Sequence, residues 1–311
     1  MALAECRVIA LALGLLAILV FMAIIEWRLA FLLCLASAIL QDPLRKITPD
    51  QPVFFIGFVG IVFAAAFMGA LARGVSMSPH KVFEGNPLLA RPIRILLVLI
   101  ILQAFNSYIR FGNPVIPLIG ALTYLLPLPA IVFSYQLAVR EGTRPVYQFM
   151  KAYVLCIGLA VTTVYLEYAG YDWPVFGQVG GNLIMYDKYV GIILPHSGIF
   201  RATEIAAWHA MACACFIVLL VTSRKINFSS LLIAMVTVGL LVEIGILTGR
   251  RKMLVEVMVF VSAYVVLWII LQKGIAKLGV ILTVAAVIVC AWLVGQLNER
   301  EFTGDESANY D

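Results

Sequence analysis

The chain alternates long apolar runs with short polar connections, and that alternation predicts its architecture. Apolar runs occupy residues 8–25, 29–40, 53–71, 95–109, 115–139, 152–169, 202–222, 227–247, 253–271 and 278–295. A helix needs roughly 20 mostly apolar residues to cross a bilayer, and most of these runs come close to that length. They predict an all-α, polytopic helical membrane protein of about ten transmembrane helices. Glu26-Trp27-Arg28 marks a tight break after the first run. Pro43, Pro49 and Pro52 are expected to end helices in the polar stretch 41–51, because proline lacks the N–H that continues a helix. Pro117, Pro127 and Pro129 interrupt the fifth run, and kinks are expected there.

Composition agrees with this pattern. The chain has 311 residues, of which 63% are hydrophobic and 13% charged, where a soluble domain carries about 25% charged. Its mean hydropathy is +1.03. The net charge of +5 is no sign of nucleic-acid binding, because Lys and Arg gather in connections between apolar runs. Connections 73–94, 140–151, 224–225 and 273–277 fall on one side by alternation and are basic, so that side is read as cytoplasmic. The opposite side then carries an outer loop at 170–201, the turn at 248–252, and 296–311, the start of an outer loop or an acidic tail. The first run lacks a clear small-residue cleavage site and leads into another apolar run, so it reads as a span. Residues 1–311 read as a single transmembrane domain without internal repeats. Six cysteines lie in or beside apolar runs, with no CxxC pair and no His/Cys ligand spacing, so no metal site, disulfide framework or cofactor is expected.

Two stretches carry candidate chemistry. In Leu247-Thr248-Gly249-Arg250-Arg251-Lys252, three adjacent cations sit between two apolar runs. Cations at a helix start oppose its dipole, yet together with free backbone N–H groups they suit an anion. Arg adds a planar fork for phosphate oxygens. A basic topology signal is the plainer explanation, but these cations fall on the side opposite the basic loops and so break the positive-inside pattern. Glu243 lies about one turn before Thr248, and Glu256 lies four residues after Lys252. Both are ionisable groups within spans. They read either as charge balance for Arg250 and Lys252 or as supports that position a phosphate-binding Arg. The second stretch runs from Pro195 through His196, Arg201 and Glu204, and is followed by a helix containing His209. His196, Glu204 and His209 are the outer-side groups suited to general-base work, against the plainer reading of packed or interfacial side chains.

Together these stretches resemble the bacterial O-antigen ligase and O-antigen polymerase family. That family has an Arg-x-x-Gly-x-Phe-x-x-Pro-Asn type motif entering one span and a Thr-x-Ser-Arg-Gly type motif opening a later one. Gly198 and Phe200 match the first, with Thr203-Glu204 in place of Pro-Asn and Arg201 standing in for the missing Arg. Thr248 and Arg251 match the second, with Arg250 and Lys252 replacing its Ser and Gly. The resemblance covers roughly the last third of the chain.

It implies a C-type, metal-independent membrane glycosyltransferase in the bacterial cytoplasmic (inner) membrane, surrounded by membrane lipids. Such an enzyme moves a glycan from a polyprenyl-pyrophosphate donor to a sugar hydroxyl of a glycan or lipid acceptor, in cell-surface polysaccharide assembly. Arg201, Arg250, Arg251 and Lys252 would hold the pyrophosphate, and His196, Glu204 or His209 would activate the acceptor. Family members continue into a large outer loop and more spans, so the resemblance implies that this chain is the N-terminal portion of a longer architecture. The competing readings are a transporter of polysaccharide or lipid-linked glycan, and a non-catalytic membrane subunit.

Overall fold

The structure is a computed structural model and describes residues 2–84, 87–181, 185–187, 191–223, 228–250 and 252–271. Twelve α-helices are described: α1 (Ala2–Ile25), α2 (Ala30–Ile47), α3 (Phe58–Ala72), α4 (Pro79–Glu84), α5 (Pro87–Phe111), α6 (Val115–Leu125), α7 (Pro127–Glu141), α8 (Arg144–Val161), α9 (Thr163–Tyr168), α10 (Thr203–Thr222), α11 (Phe228–Leu247) and α12 (Lys252–Leu271). Two three-residue strands, β1 (Met185–Asp187) and β2 (Gly191–Ile193), pair antiparallel within the 170–201 loop. Among the described residues, eight helices are long and apolar enough to cross a membrane, and they coincide with the first eight apolar runs. The ninth run corresponds to α12. The tenth run at 278–295, the basic turns 224–225 and 273–277, and the tail 296–311 lie outside the described residues.

The chain divides into two compact units, Met1–Ala206 and Ala207–Asp311. In the first, α1, α2, α3 and α7 bury a core around Phe133, with Trp27, Leu33, Val62, Ala66 and Ala70. Trp27, Phe31 and Phe63 meet the Phe133 ring edge-on, with centroids 5.6, 5.7 and 5.5 Å away. Small residues let helices approach closely where lipid supplies no hydrophobic drive. Gly69 shows the limit: a Cβ there would lie 2.5 Å from the Ile24 carbonyl oxygen, so α3 crosses α1 with no side chain between the backbones. Just beyond, Arg73 donates to the carbonyls of Ile24 (2.6 Å) and Ile25, closing the end of α1 with a cation. The outward side chains of α1, α5 and α6, such as Phe21, Ile101, Phe105 and Ile119, are large, apolar and exposed, as lipid-facing surfaces require.

Two proline expectations come out differently. The fifth run breaks into α6 and α7 at Pro127, where the missing N–H interrupts the ladder. The second run, by contrast, does not end at Pro43. Helix α2 continues through it to Ile47, carrying Gln41, Asp42 and Lys46 with it. Asp42 and Lys46, on either side of the proline, both make tertiary hydrogen bonds from this last turn. After it, Thr48 caps the helix with its hydroxyl on the Leu44 carbonyl at 2.7 Å. The chain then reverses through Asp50 and Gln51, both at positive φ (58° and 46°). Arg45 Nε on the Gln51 carbonyl (2.9 Å) and Gln51 Oε1 accepting Gly180 N–H (2.9 Å) hold that uncommon backbone in place.

Within this first unit the two ends differ in charge. Arg28 pairs with Glu141 at 2.7 Å, and with Arg73 it marks the end carrying the basic connections. The opposite end carries the Thr48–Gln51 reversal and the 170–201 loop, joined by the contact between Gln51 and Gly180.

Candidate functional site

The site forms where the second half of the 170–201 loop meets two helix ends. At i,i+4 spacing two side chains share one helix face, and both helices use this rule. On α2 the pair is Asp42 and Lys46, and on α9 it is Thr163 and Glu167. All four reach the same segment, residues 195–203. Asp42, buried, accepts the Arg201 guanidinium at 3.0 Å and the Arg201 backbone N–H at 3.1 Å. Lys46 donates to the carbonyls of Gly198 (2.8 Å) and Val175 (3.0 Å). Thr163 Oγ1 accepts the Ile199 N–H at 3.1 Å. Glu167 Oε2 accepts the N–H groups of Ser197 (3.0 Å) and Gly198 (2.6 Å). Acceptors and donors thus satisfy a loop backbone that is largely out of water and would otherwise be left unpaired.

This clamp explains the Gly-x-Phe spacing. The segment turns with Phe200 N–H on the Ser197 carbonyl at 3.1 Å, and Gly198 takes φ +56°. A Cβ at Gly198 would sit 2.3 Å from Thr163 Oγ1 and 2.9 Å from the Val164 nitrogen, so only glycine fits. Phe200 follows as a buried anchor.

The other oxygen of Glu167, Oε1, lies 3.5 Å from His196 Nδ1. Both side chains are mostly covered, with 13% of Glu167 and 21% of His196 exposed. Tyr168 stands edge-on to the imidazole, with ring centroids 5.5 Å apart. A carboxylate fixed by two backbone N–H groups therefore faces one imidazole nitrogen. That arrangement orients a general base, because a proton held on Nδ1 leaves Nε2 free to accept another. Glu167 and His196 line an open cleft of about 430 Å³ together with Tyr171, Asp172, Phe176 and Leu194.

Of the residues expected from sequence, His196 and Arg201 fall in this clamp. Arg201, expected to grip a pyrophosphate, is paired through Nη1 with Asp42, with 24% of its side chain exposed. Glu204 opens α10 in the first unit, with the buried Thr203 hydroxyl 3.4 Å from its carboxylate. His209 lies further along α10 and belongs to the second unit, half-buried.

Also in the second unit, the Thr248-Gly249 pair is a helix stop. Thr248 is buried with its hydroxyl on the Gly245 carbonyl (2.6 Å), and Gly249 takes φ +69° with its N–H on the Ile246 carbonyl (2.8 Å). Arg250 follows half-buried, and Lys252 opens α12. Arg251 and the Lys252 side chain lie outside the described residues. Glu243 and Glu256 are exposed on α11 and α12. Because the Lys252 side chain is outside the described residues, so is its expected pairing with Glu256.

Asp42, Lys46, Thr163 and Glu167 went unread in the sequence. Glu167 had a signal, being a carboxylate inside an apolar run. Asp42 and Lys46 were masked by Pro43, which made their stretch look like a connection.

Among the described residues no group of three or more His, Cys, Asp or Glu could hold a metal ion. No family model, curated protein or solved structure matches the chain. Fold and composition define the class: an all-α, polytopic membrane protein.

Proposed function

We propose that this protein is a membrane glycosyltransferase of the O-antigen ligase or polymerase type in the bacterial cytoplasmic membrane. It moves a glycan from a polyprenyl-pyrophosphate donor to a sugar hydroxyl on a glycan or lipid acceptor. The observation that carries this reading is the His196–Glu167 pair at the wall of an open cleft. Transfer needs a base, and this pair has the arrangement of one.

In this scheme His196 Nε2 takes the proton of the acceptor hydroxyl as its oxygen bonds to the anomeric carbon. The bond from that carbon to the pyrophosphate oxygen breaks, and polyprenyl pyrophosphate leaves with the electron pair. Fixed cations stabilise the developing charge. The resemblance gives that role to Arg201, Arg250, Arg251 and Lys252. Glu204 and His209 are the alternative bases.

The test uses purified protein in lipid nanodiscs with a polyprenyl-pyrophosphate oligosaccharide and a glycan acceptor, reading acceptor growth and released polyprenyl pyrophosphate. Transfer by the natural full-length protein is expected, with a loss of about 10²–10⁴-fold in His196→Ala. Arg251→Ala should abolish transfer, and Arg251→Lys should lose most of it, since a bidentate fork becomes a point charge. Flipping of the lipid-linked glycan without transfer would replace this reading with the transporter, and neither activity would leave a non-catalytic subunit.

A further inference from the structure

The cleft beside His196 has a chemical character that goes beyond supplying a base. Its described lining carries two carboxylates, Glu167 and Asp172, and no Lys or Arg. It also carries the aromatic rings of Tyr171 and Phe176. Phe176 stacks on Trp173, with centroids 5.0 Å apart and planes 27° from parallel, and Trp173 and Tyr171 stay about half exposed (51% and 56%). Tyr171 and Phe176 thus put aromatic surface beside acceptor-only oxygens in the lining. A pyrophosphate is repelled by such a wall. A pyranose fits it: its C–H face lies on aromatic rings while its hydroxyls donate to carboxylate oxygens, which each take several hydrogen bonds.

We infer that this cleft is the acceptor-sugar subsite, and that it selects a terminal sugar that is neutral or amino-bearing over one carrying an acidic group. The inference rests on the glycan-transfer reading for the meaning of "acceptor". The recognition itself stands on the cleft. Glu167 is held in place by the loop backbone, so Asp172, an exposed lining residue, is the group that meets a substituent on the incoming sugar. A carboxylate on that sugar faces like charge, and the unfavourable interaction grows as water is displaced.

The test is saturation-transfer NMR on the full chain in nanodiscs. Three probes are used: a neutral hexose trisaccharide, a glucosamine trisaccharide and a galacturonic acid trisaccharide. The neutral and amino probes should bind saturably, with the uronate weaker by about tenfold or more, the effect of a like charge across a few ångströms. Asp172→Asn should close most of that gap by improving uronate binding. Tyr171→Ala should weaken all three probes, and because Tyr171 and Asp172 are exposed, neither change threatens folding. Equal binding of the three probes, or binding indifferent to both substitutions, or no saccharide binding at all, overturns the inference. The outcomes separate from those of the transfer assay. Selective binding without transfer keeps the cleft and removes the transferase, whereas transfer with binding indifferent to Tyr171 and Asp172 does the reverse.

Discussion

Arg201 and Asp42 stand 159 positions apart in the sequence and 3.0 Å apart in space, guanidinium Nη1 to carboxylate Oδ1. The carboxylate side chain is 4% exposed and the arginine 24%. A buried pair of this kind resists the loss of one partner more than the loss of both, because a lone buried charge has nothing to offset its desolvation. Arg201→Ala should therefore destabilise the protein by about 3 kcal/mol, the low end for a broken buried pair, since Asp42 keeps the Arg201 backbone N–H. Asp42→Asn with Arg201→Gln should recover part of that loss. Thermal unfolding in detergent of the singles and the double checks it, and purely additive losses would deny the coupling.

Gly198 is predicted to be irreplaceable even by alanine. The substitution places a Cβ against Thr163 and Val164 and forces a side chain into left-handed backbone, together costing about 1–3 kcal/mol or more. Removing the hydroxyl as well, in Thr163→Ala, should not rescue it, because the Val164 nitrogen at 2.9 Å and the backbone strain both remain. Limited proteolysis of the 170–201 loop reports the outcome. Native-like protection of Gly198→Ala would mean that the clamp is looser than its geometry.

Glu167 serves the loop with one oxygen and His196 with the other, and Glu167→Gln should separate the two tasks. The amide oxygen can still accept the Ser197 and Gly198 N–H groups. Its NH₂ then faces Nδ1, which must accept, and the imidazole proton moves to Nε2, where a base needs a free lone pair. The expected result is a near-native unfolding midpoint with transfer reduced by about 10²–10⁴-fold. Glu167→Ala should lose both. A fully active Glu167→Gln would take His196 out of the reaction.

Chain order and the basic end of the first unit predict sidedness. In a background without the six native cysteines, Asp172→Cys and Arg250→Cys should react with an impermeant thiol reagent added outside intact cells. Thr143→Cys, in the short turn between α7 and α8, should react only after the membrane is opened. Outside labelling of Thr143→Cys would invert the orientation.

The sequence by itself determined the class and the spans. Hydrocarbon has no water to satisfy backbone groups, so each long apolar run has little choice but a helix. It also singled out His196, Gly198 and Arg201 as a stretch of interest. What those residues touch was decided only in three dimensions. Arg201 reads as a free cation in the sequence and is the partner of Asp42 in the fold, because ion pairing depends on distance in space. The same holds for Glu167, whose two oxygens divide between a loop backbone and an imidazole that lies about 30 residues downstream. Pro43 gives the clearest reason for the gap. Local chemistry says that a helix stops there, costing about 3 kcal/mol if it does not. Helix α2 nevertheless continues, and Asp42 and Lys46, which flank the proline, reach a loop more than a hundred residues away, a contact that no local pattern records.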